Sequence, residues 1–185
     1  MLTPEQFRSK YKRTVSAKPI EIVPCRTKPG VLIPGDAERI RDHVAPELSL
    51  SEFGEHYLEA SEGSLMQDRR TGRRYRLPTL VPKQNPDGSC VFLTAMGRCG
   101  CHAVSPAGCA YFDLSMSRDE GNRRSADLHE AIMSGDDQYE QLHAELTDAG
   151  QTAKPLAQRC KAMNDAIKSF EKQAAKPKYK KRKKR

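Results

Sequence analysis

The sequence predicts an α+β protein, mainly α: a small cysteine-rich metal-binding domain with a short β-hairpin, followed by an antiparallel helical hairpin and a disordered basic tail. Three observations lead there. Apolar residues recur at helical spacing across residues 36–60 and again across 128–170. Four of the six cysteines, Cys90, Cys99, Cys101 and Cys109, fall in the Gly- and Pro-punctuated stretch CVFLTAMGRCGCHAVSPAGC, whose turns bring thiols together. The last ten residues, KPKYKKRKKR, hold eight Lys or Arg and no acid, so they carry the whole formal net charge of +8.

These features divide the chain into a polar N-terminal segment at 1–19, a cysteine-cluster domain at 20–115, a helical hairpin at 120–175 and a polybasic tail at 176–185. In the first segment Thr3 and Gln6 stand at capping-box spacing, which predicts a short helix. Asp36 opens DAERIRDHVA as a capping residue, with Ile40 and Val44 on one face. Ser51 is the expected cap of a second helix over 50–60, where Phe53, Tyr57 and Leu58 follow helical spacing. Both faces read as core.

The period then changes. Residues 64–83 surround a Thr71-Gly72 turn and predict a hairpin whose tip carries Arg69, Arg70, Arg73, Arg74 and Arg76. These arginines read as a solvated tip, with a phosphate contact as the alternative. NPDGSCVFL reads as a turn leading into a strand beside the cysteines. Beyond them, Leu128, Ile132, Tyr139, Leu142 and Leu146 form one helical stripe, interrupted by SGDD at 134–137. Leu156, Cys160, Met163, Ile167 and Phe170 form another behind Pro155. The TDAGQTAK linker is short enough to fold the two stripes onto each other, and Cys160 inside its stripe reads as a core residue.

Chemistry points to the cysteines. The N-terminus MLTPEQFRSKYKRT has no apolar run after its basic residues, and no later stretch approaches a membrane span. The expected location is therefore cytoplasmic, where thiols stay reduced and clustered cysteines more often hold metal than form disulfides. Eight residues separate Cys90 from Cys99 and nine separate Cys99 from Cys109, wider than the two to four of a paired zinc knuckle. A four-thiolate site must recruit a distant ligand, and Cys25, beside the turn PCRTKPG, is the candidate. Closing so long a loop costs little more than closing a short one. Cys101 is a fifth or replacement ligand, and Arg26 and Arg98 beside proposed ligands offset thiolate charge. His102 offers a nitrogen donor should Cys101 point away, and a reversible thiol pairing of Cys99 or Cys101 stays open.

The segment GSCVFLTAMGRCGCHAVSPAGCAYFD resembles the second half of the YkgJ-like cysteine-cluster family, described as a zinc- or iron-chelating domain. Cys90, Phe92, Leu93, Cys99, Pro106, Cys109 and Phe112 fall on its pattern. The upstream stretch CRTKPGVLIPGDAERIRDHVAPELSLSEFGEHYLEA resembles the first half, so the likeness covers roughly residues 20–115. The chain departs by keeping only Cys25 of the first cysteine cluster, by His102, Ser105 and Asp113 at positions usually Tyr, Arg and Pro, and by the additional Cys101. The resemblance implies chelation of zinc or iron by clustered cysteines.

The expectation is a small cytoplasmic protein binding a zinc ion, or alternatively iron or an iron–sulfur cluster, through Cys25, Cys90, Cys99, Cys101 and Cys109. The alternative is a nucleic-acid or ribosome-associated module that holds RNA, DNA or another polyanion through Lys176, Lys178, Lys180, Lys181, Arg182, Lys183, Lys184 and Arg185, its cysteine site purely structural. No phosphate loop, nucleophile elbow, zinc-protease helix or thioredoxin-type Cys-x-x-Cys is present, so no enzymatic activity is expected.

Overall fold

A computed structural model of the chain describes residues 1–14, 23–67, 71–135 and 137–174. The architecture is α+β and mainly helical, with helices packed around one two-stranded antiparallel sheet. The tail residues Lys176, Lys178, Lys180, Lys181, Arg182, Lys183, Lys184 and Arg185, with Arg69 and Arg70, lie outside the described residues.

Helix α1 (Pro4–Lys10) forms as its capping box dictates: the Thr3 hydroxyl accepts from the Gln6 amide at 3.3 Å and the Gln6 side chain accepts from the Thr3 amide at 2.9 Å. Its Phe7 is fully buried, edge-on to Tyr11 and Tyr111 at 5.2 and 5.3 Å, so this polar segment is pinned into the common core. Helix α2 (Val23–Thr27) is a single turn and a third.

Helix α3 (Asp36–Val44) begins where expected, but Gly35 occupies the cap position and the Asp36 carboxylate serves other partners. Helix α4 (Leu50–Tyr57) is capped by Ser49, not Ser51. Three residues beyond Ser49 stands Glu52, which returns the bond at 2.8 Å; three beyond Ser51 stands Gly54, which has no side chain to return one. The Ser51 hydroxyl instead donates to Glu145 at 3.0 Å.

Leu58 opens a strand rather than closing the helix. Strand β1 (Leu58–Gln67) pairs antiparallel with β2 (Arg74–Pro82), from Leu58↔Pro82 to Gln67↔Arg74, with an irregularity between Ser61 and Ser64 where Gly63 takes φ +71°. The hairpin is therefore longer than expected and ends before the cysteines. No strand follows the NPDG turn: Val91 donates to Lys83 at 2.9 Å, but Leu93 turns back onto Cys90 at 2.9 Å, leaving only the isolated bridges Gln84↔Cys90 and Leu93↔Cys99.

After the short helix α5 (Ala107–Ala110), the first apolar stripe is split between α6 (Arg118–Met133) and α7 (Asp137–Asp148). Helix α6 packs on α1 and β2, and α7 on β1, α4 and β2. Tyr139 locks the layers, its hydroxyl donating to the Leu32 carbonyl at 3.0 Å and accepting from the Leu80 amide at 2.8 Å.

The expected antiparallel helical hairpin does not form. The linker meant to turn lies along β1 instead, with Ala60 donating to Gln151 at 2.9 Å and Ala153 donating to Ala60 at 2.8 Å. Helix α8 (Leu156–Ala174) is thereby sent onto α2 and β1. Its stripe, Cys160 included, is only half-buried; the buried residue is Arg159, held by the Ser61 hydroxyl at 2.7 Å and the Lys154 carbonyl at 2.9 Å.

One core runs from Phe7 to Leu146 and includes Leu32, Ile33, Ile40, Phe53, Leu58 and Leu80 at essentially zero exposure. Each such side chain contributes about 1.5–3 kcal/mol. Cys90 and Cys101 are part of it. Among the described residues no helix is long and apolar enough to cross a membrane.

Candidate metal centre

Four chain segments deliver the five thiols. The first is α2, whose Cys25 carbonyl accepts the Cys90 amide at 2.6 Å. This makes neighbours in space of two positions 65 residues apart in sequence. Cys90 follows a tight turn in which Asp87 accepts from the Ser89 amide at 2.9 Å and Asn85 accepts from Gly88 at 2.8 Å.

The segment after Cys90 is anchored by Phe92, which is buried and stacks on Tyr57 at 5.6 Å and Phe53 at 6.5 Å. A turn closed by Thr94 and Arg98 at 2.8 Å, with Gly97 at φ +71°, then returns the chain so that Cys99 lies opposite Leu93 and Gly100 donates to Phe92 at 2.7 Å. Cys101 is fully buried where the following 3-10 turn (His102–Val104) begins.

Helix α5 carries Cys109 and is held from outside. Ala107 donates to the Asp36 carboxylate at 2.8 Å, Gly108 donates to Val31 at 2.9 Å, and the Gly30 amide donates to Cys109 Sγ at 3.2 Å. The approach is so close that a Cβ on Gly30 would lie 2.7 Å from that sulfur and strike the Gly108 backbone. Asp36 is itself buried and also accepts from Ile33 at 3.1 Å, Arg39 at 2.9 Å and Arg8 at 3.0 Å. One carboxylate therefore ties α1, α3 and α5 together behind the thiols.

None of the six cysteines is in a disulfide. The thiolate forms of the five would repel one another: Cys25 feels Cys99, Cys90 feels Cys25 and Cys99, Cys101 feels Cys99, Cys109 and Cys90, and Cys109 feels Cys25, Cys90 and Cys99. Burial is the main cause that raises Cys25, lifts Cys90 to about 12 and holds Cys109 well above the usual thiol value. Cys99 and Cys101 are in contact, Sγ to Sγ 3.6 Å. Their shared hydrogen bond is the main cause that lowers Cys99 and raises Cys101.

Several groups oppose the repulsion. Peptide N–H groups two residues onward face Cys90 (from Phe92) and Cys99 (from Cys101), and Gly30 serves Cys109. Arg26 favours thiolate at Cys25, as its neighbouring position implies. At Cys99 the cation is Arg13, which reaches across to donate to Ala103 at 2.8 Å, to Ser105 at 3.0 Å and to the His102 carbonyl. Nothing local in the sequence marks the part Arg13, Gly30 or Asp36 plays at the thiols, because each reaches the cysteine segment across a long chain separation. His102 is exposed, and Cys160 is half-buried on α8.

The donors suit a thiophilic ion. Tetrahedral zinc with sulfurs at about 2.3 Å places them about 3.8 Å apart, and the Cys99–Cys101 pair meets that edge. The rest of the set is open: among the described residues no three His, Cys, Asp or Glu side chains stand at distances that hold a metal ion. No family model, curated protein or solved structure matches the chain.

Proposed function

We propose that the chain binds one metal ion, zinc before iron, through the thiolates of Cys25, Cys90, Cys99 and Cys109, with Cys101 as a fifth or replacement donor. What supports this reading is that five free thiols from four separate segments lie within range of mutual electrostatic repulsion, with Cys99 and Cys101 in contact and Cys109 accepting a peptide N–H from Gly30 at 3.2 Å. Such a donor stabilises the ionised sulfur that a metal requires. Without an ion, burial keeps most of these thiols protonated; an ion would exchange their mutual repulsion for ligation and draw the open set inward. All-thiolate coordination suits Zn(II) or an iron–sulfur cluster and disfavours magnesium and calcium.

The role that fits is structural. The cysteine segment is irregular and anchored mainly by Phe92, Tyr111 and Asp36, so ligation would add stability where regular secondary structure is absent. The test is cobalt(II) substitution followed by charge-transfer absorbance: Cys90→Ser and Cys109→Ser should each weaken or abolish the thiolate bands. Unchanged bands and stoichiometry in both variants would remove the proposal.

A second reading is polyanion binding by the basic tail. Exposed Arg73, Arg74 and Arg76 at the β1–β2 hairpin favour it, Arg76 making an exposed ion pair to Glu62 at 3.3 Å. RNA binding that weakens steeply with salt and is lost on removal of residues 176–185 is the expected result; binding unchanged by truncation opposes it.

A further inference from the structure

We propose that Cys99 and Cys101 form a thiol–disulfide switch that discharges the metal in response to a hydroperoxide; this rests on the metal-binding reading above. Their sulfurs are 3.6 Å apart and both are free. A disulfide needs about 2.05 Å, so closure requires roughly 1.5 Å of approach between the two sulfurs. Gly100 lies between them, exposed and without a side chain to obstruct the small ring. The two thiols differ in access. Cys99 is half-buried between exposed Arg98 and Gly100, where a small oxidant reaches it; Cys101 is fully buried and positioned to resolve the product.

The chemistry balances. Cys99 sulfur attacks one peroxide oxygen, the O–O bond breaks, and water leaves a sulfenic acid. Cys101 sulfur then displaces the hydroxyl as a second water, forming the S–S bond. Two thiolates, one hydrogen peroxide and two protons give one disulfide and two waters; the sulfurs are oxidised and the peroxide reduced.

The consequence follows from counting donors. Of the five thiols Cys101 is the reserve: its own loss leaves the four proposed ligands in place, whereas loss of one of those four weakens the site even where Cys101 stands in. Loss of Cys99 and Cys101 together leaves Cys25, Cys90 and Cys109, one short of a closed structural site. The paired oxidation is the event the reserve cannot cover.

The experiment uses the full chain loaded with zinc, treated with hydrogen peroxide while released zinc is followed with a chromogenic chelator and the protein by peptide mass. The expected result is zinc release in step with a two-hydrogen mass loss on the peptide holding Cys99 and Cys101, reversed by dithiothreitol and zinc. Cys101→Ser should retain zinc and release it on the order of tenfold more slowly. Zinc retained by the wild-type chain through peroxide, or released through a disulfide to Cys25, Cys90 or Cys109, overturns the switch and leaves the metal reading in place. A reduced chain that takes up no zinc yet forms the Cys99–Cys101 disulfide overturns the metal reading and with it the switch's output.

Discussion

The Cys90 amide donates to the Cys25 carbonyl at 2.6 Å, so the backbone itself brings α2 against the cysteine loop. Helix α2 is five residues long, too short to hold its own conformation, and its main neighbour is α8. Metal at Cys25 would therefore stabilise α2 and, through it, α8. A chelator is expected to accelerate amide exchange in 23–27 and 156–174 while leaving α4 and α7 protected. Identical exchange with and without chelator would separate the thiols from the helices.

Gly30 is the tightest backbone approach at the centre. Gly30→Ala forces the Gly108 backbone and Cys109 Sγ apart, with an expected loss of about 1–3 kcal/mol in urea unfolding and weaker metal retention. Gly121→Ala is the contrast: within α6 its Cβ would meet nothing nearer than Met116 Sδ at 4.0 Å, so up to about 1 kcal/mol of stabilisation is expected.

Asp36→Asn leaves the volume unchanged but removes the charge facing Arg8 and Arg39 and turns an amide nitrogen toward backbone donors. The expected cost is about 2–4 kcal/mol, read from the denaturation midpoint. A cost of a few tenths would mean that the two arginines contribute little at this site.

Burial raises Cys90 from 9 to about 12. A raised thiol contributes stability that is complete below pH 9 and is lost as pH climbs from 9 toward 12, because the unfolded chain then gives up a proton the folded chain keeps. In the metal-free, reduced protein the alkaline fall in stability should be shallower for Cys90→Ala than for wild type. Zinc affinity should rise with pH, each ligating thiol releasing its proton. Parallel pH profiles for the two proteins would contradict the assignment of that loss to Cys90.

Much of the helical framework was legible because its cues are local. Thr3 and Gln6 meet within one turn, and Leu128, Ile132, Tyr139, Leu142 and Leu146 repeat at helical spacing whatever lies around them. Residues 58–60 misled because Leu, Glu and Ala favour helix, and only pairing with β2, Glu59 with Val81 and Ala60 with Leu80, makes them strand. The TDAGQTAK linker misled because its bonds go to Ala60, some ninety residues earlier. At the candidate centre, four of the cysteines stood out by falling within twenty residues of one another. Their supports, Arg13, Gly30 and Asp36, act at separations that no local pattern encodes.

Elemental analysis with a visible spectrum, on the 185-residue chain purified anaerobically without added metal, tests the central claim most directly. One equivalent of zinc and no colour is the expected result, and iron with sulfide and a brown chromophore would keep the thiolate site while replacing the ion. Protein free of both metals that also fails to bind added zinc would contradict it.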